Sequence, residues 1–177
     1  MKKKVILFIV IVAALLGVAT TAVVMGINAN KVDIDPEESV GVEYNGTKDE
    51  IIFLNKDAKL ADIKRVEGVV NIYMFWGAGC PHCKAQWEWL DSIRDKYAGK
   101  IAVYGFEVFN NSENRLIMDN FVNAVGDKDI KTVPYTVIGG KSIGGFSTGS
   151  TSGKKILDLV EEAQKSKKDI YFDVIKK

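Results

Sequence analysis

An apolar run, Asn71-Ile72-Tyr73-Met74-Phe75-Trp76, stops at Gly77-Ala78-Gly79 and gives way to a helical repeat, Trp87, Leu90, Ile93 and Tyr97, that ends at Gly99. No other stretch restricts the fold as much. Val69 to Trp76 is nearly continuous in Val, Ile, Tyr, Met and Phe, the pattern of a strand buried on both faces of a sheet. The repeat after it predicts a helix of about four turns, opening at Cys80. The two cysteines of the chain and its single histidine all fall at this junction, in Cys80-Pro81-His82-Cys83.

That spacing carries chemistry. Two thiols separated by two residues at a helix start can close a disulfide and reopen it through a mixed disulfide. Cys80 is the expected nucleophile, because a thiolate there faces the positive end of the helix dipole and the free N–H groups of the first turn. Pro81 suits the first helical position, where no amide hydrogen is needed. The amides of His82 and Cys83 are then the nearest backbone donors to the sulfur. Cys83, one turn in, is the expected resolving thiol.

The rest of the pattern supplies an α/β order. Glu50 to Leu54 is expected as a short strand and Ala58 to Val66 as a short helix. Ile101 to Val108 reads as a strand, and Asn111 or Ser112 caps a helix whose Ile117, Phe121 and Ala124/Val125 share one face before Gly126. Tyr135 to Ile138 and Ser142 to Phe146 bracket Gly139-Gly140, a hairpin signal. Ser150 or Ser152 caps a last helix with Ile156, Leu159, Val160 and Ala163 inward. Ile170 to Ile175 is apolar, and the pattern assigns no element to it.

The N-terminus predicts location. Lys2, Lys3 and Lys4 precede an uncharged run from Val5 to about Ile27. A helix of about 22 residues spans ~33 Å, enough for a bilayer core, and the run exceeds the ~7–15 residues of a signal-peptide core. Gly17-Val18-Ala19 and Thr20-Thr21-Ala22 remain candidate cleavage sites. The lysines on one side, against Asp33, Asp35, Glu37 and Glu38 on the other, place everything after Asn28 outside the cytoplasm. The expected plan is an anchor at 1–27, a polar tether at 28–49, one domain at 50–166 and a tail at 167–177. The expected location is the cell membrane, single-pass, with the C-terminal domain extracytoplasmic.

Several classes are disfavoured. The 24 Lys and Arg against 23 Asp and Glu, with no basic stripe among aromatics, give no footprint for nucleic acid. A structural zinc site needs four ligands, and the chain has no cysteine or histidine beyond Cys80, His82 and Cys83. A purely structural disulfide would close too short a loop to stabilise much.

The run Phe75-Trp76-Gly77-Ala78-Gly79-Cys80-Pro81-His82-Cys83-Lys84 resembles that of thioredoxin-fold proteins. Thr132-Val133-Pro134-Tyr135, just before the expected hairpin, matches the place where that family keeps a cis-proline facing the cysteines. The resemblance covers about Val69 to Lys165. It implies a thioredoxin fold, a central mixed β-sheet flanked by helices, preceded here by one transmembrane helix. It also implies that Cys80 and Cys83 form a redox-active disulfide, that Val133 and Pro134 present backbone to a protein client, and that no diffusible cofactor is needed. Trp76 is a candidate for the client groove.

The Pro-His dipeptide and Val133 resemble those of DsbA-type disulfide oxidases. The domain itself, with about 25 residues between Val108 and Pro134, is closer to a minimal thioredoxin or glutaredoxin. Lowering a thiol pKa to the DsbA extreme requires ~7 kcal/mol, whereas a helix dipole contributes at most ~2 kcal/mol. Hydrogen bonds and a cationic His82 are left to supply the rest. Where the family commonly places a buried acid, six residues before the first cysteine, this chain has Met74. Glu107, inside the expected strand Ile101 to Val108, is the candidate proton acceptor; an edge position or a structural ion pair is its alternative.

The expected activity is extracytoplasmic thiol-disulfide exchange with protein dithiol or disulfide clients, with oxidation of clients favoured and a membrane or envelope partner recycling the pair. A reductase or isomerase, and a redox-inert accessory or binding module of an export system, stay open as alternatives.

Overall fold

The computed structural model describes residues 42–127, 130 and 132–177. The expected anchor at 1–27 and most of the tether lie outside the described residues. Among the described residues, no helix is long and apolar enough to cross a membrane.

Five strands form one open sheet: β1 (Leu54–Asn55), β2 (Val70–Trp76), β3 (Ile101–Glu107), β4 (Tyr135–Ile138) and β5 (Lys141–Gly144), in the spatial order β1-β3-β2-β4-β5. β1 and β2 run parallel to β3, β4 runs antiparallel to β2, and β5 runs antiparallel to β4. Among the described residues, four α-helices accompany the sheet: α1 (Pro81–Ser92), α2 (Arg94–Tyr97), α3 (Ser112–Val125) and α4 (Lys154–Ser166). This mixed sheet flanked by helices is consistent with a thioredoxin fold.

Side chains of a strand alternate between faces, and β2 divides its apolar residues accordingly. Val70, Ile72 and Met74 join Cys83, Trp87 and Leu90 of α1 and Ile156, Val160 and Ala163 of α4 in one core. Tyr73 and Phe75 join Phe121 of α3, Tyr135 and Val137 of β4, and Ile170 and Tyr171 near the C-terminus in the other. Every β2 residue except Trp76 is buried, as expected for a central strand covered on both sides.

Several elements differ from the sequence pattern: β5 is Lys141–Gly144 rather than Ser142 to Phe146, and α4 starts from Gly153 with no side-chain cap rather than from Ser150 or Ser152. The four-turn helix breaks at Ile93 into α1 and α2, because Ser92 Oγ bonds back to the carbonyl of Trp89 at 2.6 Å and competes with the helical ladder. Ala58 to Val66 forms only one 3₁₀ turn, Leu60–Asp62. There the Asp62 carboxylate reaches back to the Lys59 amide at 2.8 Å and to Asn55. The first strand shrinks to Leu54–Asn55, preceded by a 3₁₀ turn at Lys48–Glu50 that Glu50 and Thr47 close reciprocally.

The ends of the domain also pack. Asn45 donates its amide to the carbonyl of Arg65 at 2.9 Å and accepts from the Arg65 amide. Tyr171–Ile175 forms a wide π-type turn. Before it, Asp169 is buried and accepts from Tyr73 Oη at 2.7 Å, Asn71 Nδ2 at 2.8 Å and the Tyr171 amide at 3.0 Å. Arg65 ties the same segment down through Asp173 and the Lys167 carbonyl.

Candidate redox site

Cys80 and Cys83 are joined in a disulfide, with their Cα atoms 5.3 Å apart. Cys80 is the N-cap of α1, in extended backbone conformation, and its Sγ accepts from the Cys83 amide at 3.2 Å. Pro81 takes the first helical position. The chain reaches this cap through Gly79, whose φ of +79° favours glycine. Cys83 is 1% exposed, whereas Cys80 is half-buried, so of the two sulfurs only that of Cys80 is open to solvent.

The loop between β2 and α1 is held from the neighbouring strand. Glu107 is the last residue of β3 and pairs with Trp76. Its Oε1 accepts from the amides of Ala78 at 3.0 Å and Phe109 at 2.9 Å, and its Oε2 from that of Asn110 at 2.8 Å. Burial pushes this carboxyl pKa up, but the three amide donors and Arg115 outweigh it and hold the group below the ordinary glutamate value. Among the described residues, none of its hydrogen bonds reaches Cys83. The geometry gives Glu107 the role of a backbone clamp for the loop before Cys80.

Val133 and Pro134 come from the other side of the sheet. The Val133–Pro134 peptide is cis. The Val133 carbonyl oxygen lies 3.8 Å from Cys80 Sγ, and the Pro134 carbonyl accepts from the Gly145 amide at 2.7 Å. The structure thus brings Cys80, Cys83 and Val133 together across 53 residues of sequence.

His82 is exposed, and its Nδ1 is 2.9 Å from the carbonyl oxygen of Phe146. A carbonyl only accepts, so Nδ1 carries the hydrogen and Nε2 is the free ring nitrogen. Trp76 donates Nε1 to the Lys56 carbonyl at 3.0 Å and meets Trp87 edge to face, 6.3 Å between centroids. Lys56, Trp76 and Trp87, but not His82, border a groove of roughly 890 Å³ that also includes Cys80, Pro81, Lys84 and Glu88.

Sequence reasoning did not place Trp87 and Lys56 in this groove. Trp87 had a signal, because it lies four residues after Cys83 and so shares its helix face. Lys56 had none. Its ammonium stands 5.5 Å from the Trp87 ring centroid only because β1 pairs with β3. Among the described residues, no group of three or more His, Cys, Asp or Glu side chains is placed to hold a metal ion.

No family model and no curated protein matches this chain. Among solved structures, a protein from Agrobacterium tumefaciens is similar with a TM-score of 0.45 and 18% identity over 56% of this chain and 47% of that one. The chain therefore spans less than half of that relative. A thioredoxin-like protein from Clostridium perfringens gives 0.43 and 21% over 62% of this chain and 82% of that one. Glutaredoxin 1 from Francisella tularensis gives 0.36 and 24% over 51% and 99%. The second of these is described as a thioredoxin-like protein and the third as a glutaredoxin. Each superposes on part of the chain only.

Proposed function

We propose that this chain is an extracytoplasmic thiol-disulfide oxidoreductase, held at the membrane by Val5 to Ile27, that exchanges disulfides with protein clients through Cys80 and Cys83. The carrying observation is the disulfide at the N-terminus of α1, with a half-buried Cys80 facing the Val133 carbonyl and a buried Cys83 behind it.

The exchange runs in two steps. A client thiolate attacks Cys80 Sγ, forming a client–Cys80 disulfide and releasing Cys83 as the leaving sulfur. The second client thiolate then attacks the client sulfur of that bond, closing the client disulfide and releasing Cys80. Two electrons pass from the client to the pair. In reverse, Cys80 attacks a client disulfide and Cys83 resolves the adduct. The Cys83 amide and the positive end of α1 favour negative charge on Cys80 in either direction.

His82 beside Cys80, with Nδ1 already donating to Phe146, supports oxidation of clients, since a group that stabilises the Cys80 thiolate stabilises the reduced pair. The resemblance of Pro81-His82 to the DsbA-type dipeptide points the same way. Met74, fully buried where the family commonly keeps an acid, favours the second reading, a reductase or isomerase fed by an envelope partner.

The deciding experiment uses the full-length protein and its Cys83→Ser variant. The variant should accumulate clients covalently on Cys80, seen as adducts that reducing agent removes, and Cys80→Ser should accumulate none. Absence of adducts on both variants, with function retained, would establish the redox-inert binding module instead. Equilibration with glutathione sets the direction: a potential near about −120 mV means a disulfide donor, and one near about −270 mV a reductant.

A further inference from the structure

One polar group beneath Cys83 has no part in the mechanism above. Gln86 is fully buried on α1, three residues after Cys83. Residues at that spacing share a helix face, and long side chains lean back over the preceding turn. The carboxamide therefore lies over the turn that carries Cys83. Its Nε2 donates to Thr136 Oγ1 at 2.8 Å. Thr136 is buried on β4, two residues beyond Pro134, and stands opposite Met74 in the β2–β4 ladder.

The amide thus bridges the helix of the resolving cysteine to the strand that follows Pro134. Thr136 fixes its orientation. Its Oε1 is buried and, among the described residues, has no donor. A buried acceptor without a partner is unfavourable, and its persistence needs an explanation.

The redox state of Cys83 supplies one. In the disulfide, Cys83 Sγ carries no hydrogen and offers Oε1 nothing. When the pair is reduced, two client thiols become a client disulfide and give up two electrons and two protons. The Cys80–Cys83 bond takes both electrons; Cys83 Sγ takes one proton, and the other goes to Cys80 or to solvent. Cys83 then holds an S–H three residues before Gln86, whose buried Oε1 is an unpaired acceptor on the same helix. Met74 offers only a thioether sulfur, a weaker acceptor than a carboxamide oxygen.

We infer that Gln86 is a positioning residue for the resolving thiol: its Oε1 accepts the S–H of Cys83 in the reduced protein only. The inference rests on the oxidoreductase reading. A bond present in one redox state favours that state, so Gln86 makes the disulfide a stronger oxidant. Because a carboxamide does not titrate, it does this without the buried acid that Met74 replaces.

The test equilibrates full-length wild type and Gln86→Met with glutathione. The substitution keeps volume and removes the acceptor. The exchange constant should move about tenfold toward the disulfide, which for this two-electron couple is about 30 mV more negative. The second readout is the infrared S–H stretch of the reduced wild type, assigned to Cys83 by its loss in Cys83→Ser. It should lie at the lower frequency of a hydrogen-bonded thiol. A Gln86→Met constant within twofold of wild type overturns the inference, and so does a Cys83 band at the position of a free thiol. The band is read on wild type, so it decides the question even if the variant does not fold. A protein that never exchanges with glutathione overturns the oxidoreductase reading instead, and the band of the chemically reduced protein still tests Gln86.

Discussion

His82 is held through Nδ1 by the carbonyl of Phe146, 2.9 Å away, so the ring is anchored to the segment after β5. Nε2 is the ring nitrogen that this contact leaves free. His82→Ala removes both the ring and its anchor. At a fixed glutathione ratio, the variant should hold less reduced protein by roughly tenfold, the equivalent of ~1.4 kcal/mol. Thiolate ultraviolet absorbance at neutral pH should fall with it. An unchanged equilibrium would mean that His82 serves the Phe146 contact alone.

Glu107 accepts three backbone amides, and a glutamine cannot accept on both sides. Glu107→Gln should cost about 1–2 kcal/mol of stability at neutral pH. The wild-type carboxyl titrates below its unfolded value in the fold. Its contribution is therefore present above about pH 4 and is lost as pH falls through the folded value. Chemical denaturation at neutral and acid pH should show the gap between wild type and variant narrowing in acid.

Asp169 has the opposite sign. Burial raises its carboxyl pKa, against the pull of Tyr73, Asn71, the Tyr171 amide and Arg65. Stability from this group is fully present below about pH 4 and falls as pH rises through the folded value. Asp169→Ala leaves Tyr73, Asn71 and the Tyr171 amide without their acceptor, at about 3 kcal/mol. The gap between wild type and Asp169→Ala should be widest in acid and narrow as pH rises. The same denaturation series that tests Glu107 measures it.

Gly105 lies in the middle of β3, under the groove. A Cβ there would stand 2.7 Å from the Trp87 ring and 2.8 Å from the Lys56 carbonyl oxygen. Gly105→Ala should destabilise by about 1–3 kcal/mol, the usual cost of overpacking. It should also displace Trp87 toward the groove, which tryptophan fluorescence and its quenching by a small solute would report. A variant with wild-type stability and spectrum would mean that Lys56 and Trp87 yield freely.

The sequence by itself determined what is local. The unbroken apolar pattern of Val69 to Trp76 made a strand covered on both faces, Gly79 allowed the abrupt turn, and Pro81 after Cys80 set the helix start. Those features depend on backbone conformation and nearest neighbours, so they can be read along the chain. The α3 helix and the β4 strand were legible for the same reason.

Tertiary structure decided the rest. Strand order alone brings Val133 to Cys80 and Lys56 to Trp87. The side chain of Ser92 breaks a periodic helix, and that of Asp62 limits another to one turn, because each offers the backbone a competing hydrogen bond that periodicity does not register. Glu107 stands at the end of its strand, where three amides converge on it. Asp169 and Tyr171, in a segment with no clear period, become core because Asn71 and Tyr73 reach them across about a hundred residues. The charge and burial of these groups follow from partners remote in sequence, and only the folded sheet brings those partners together.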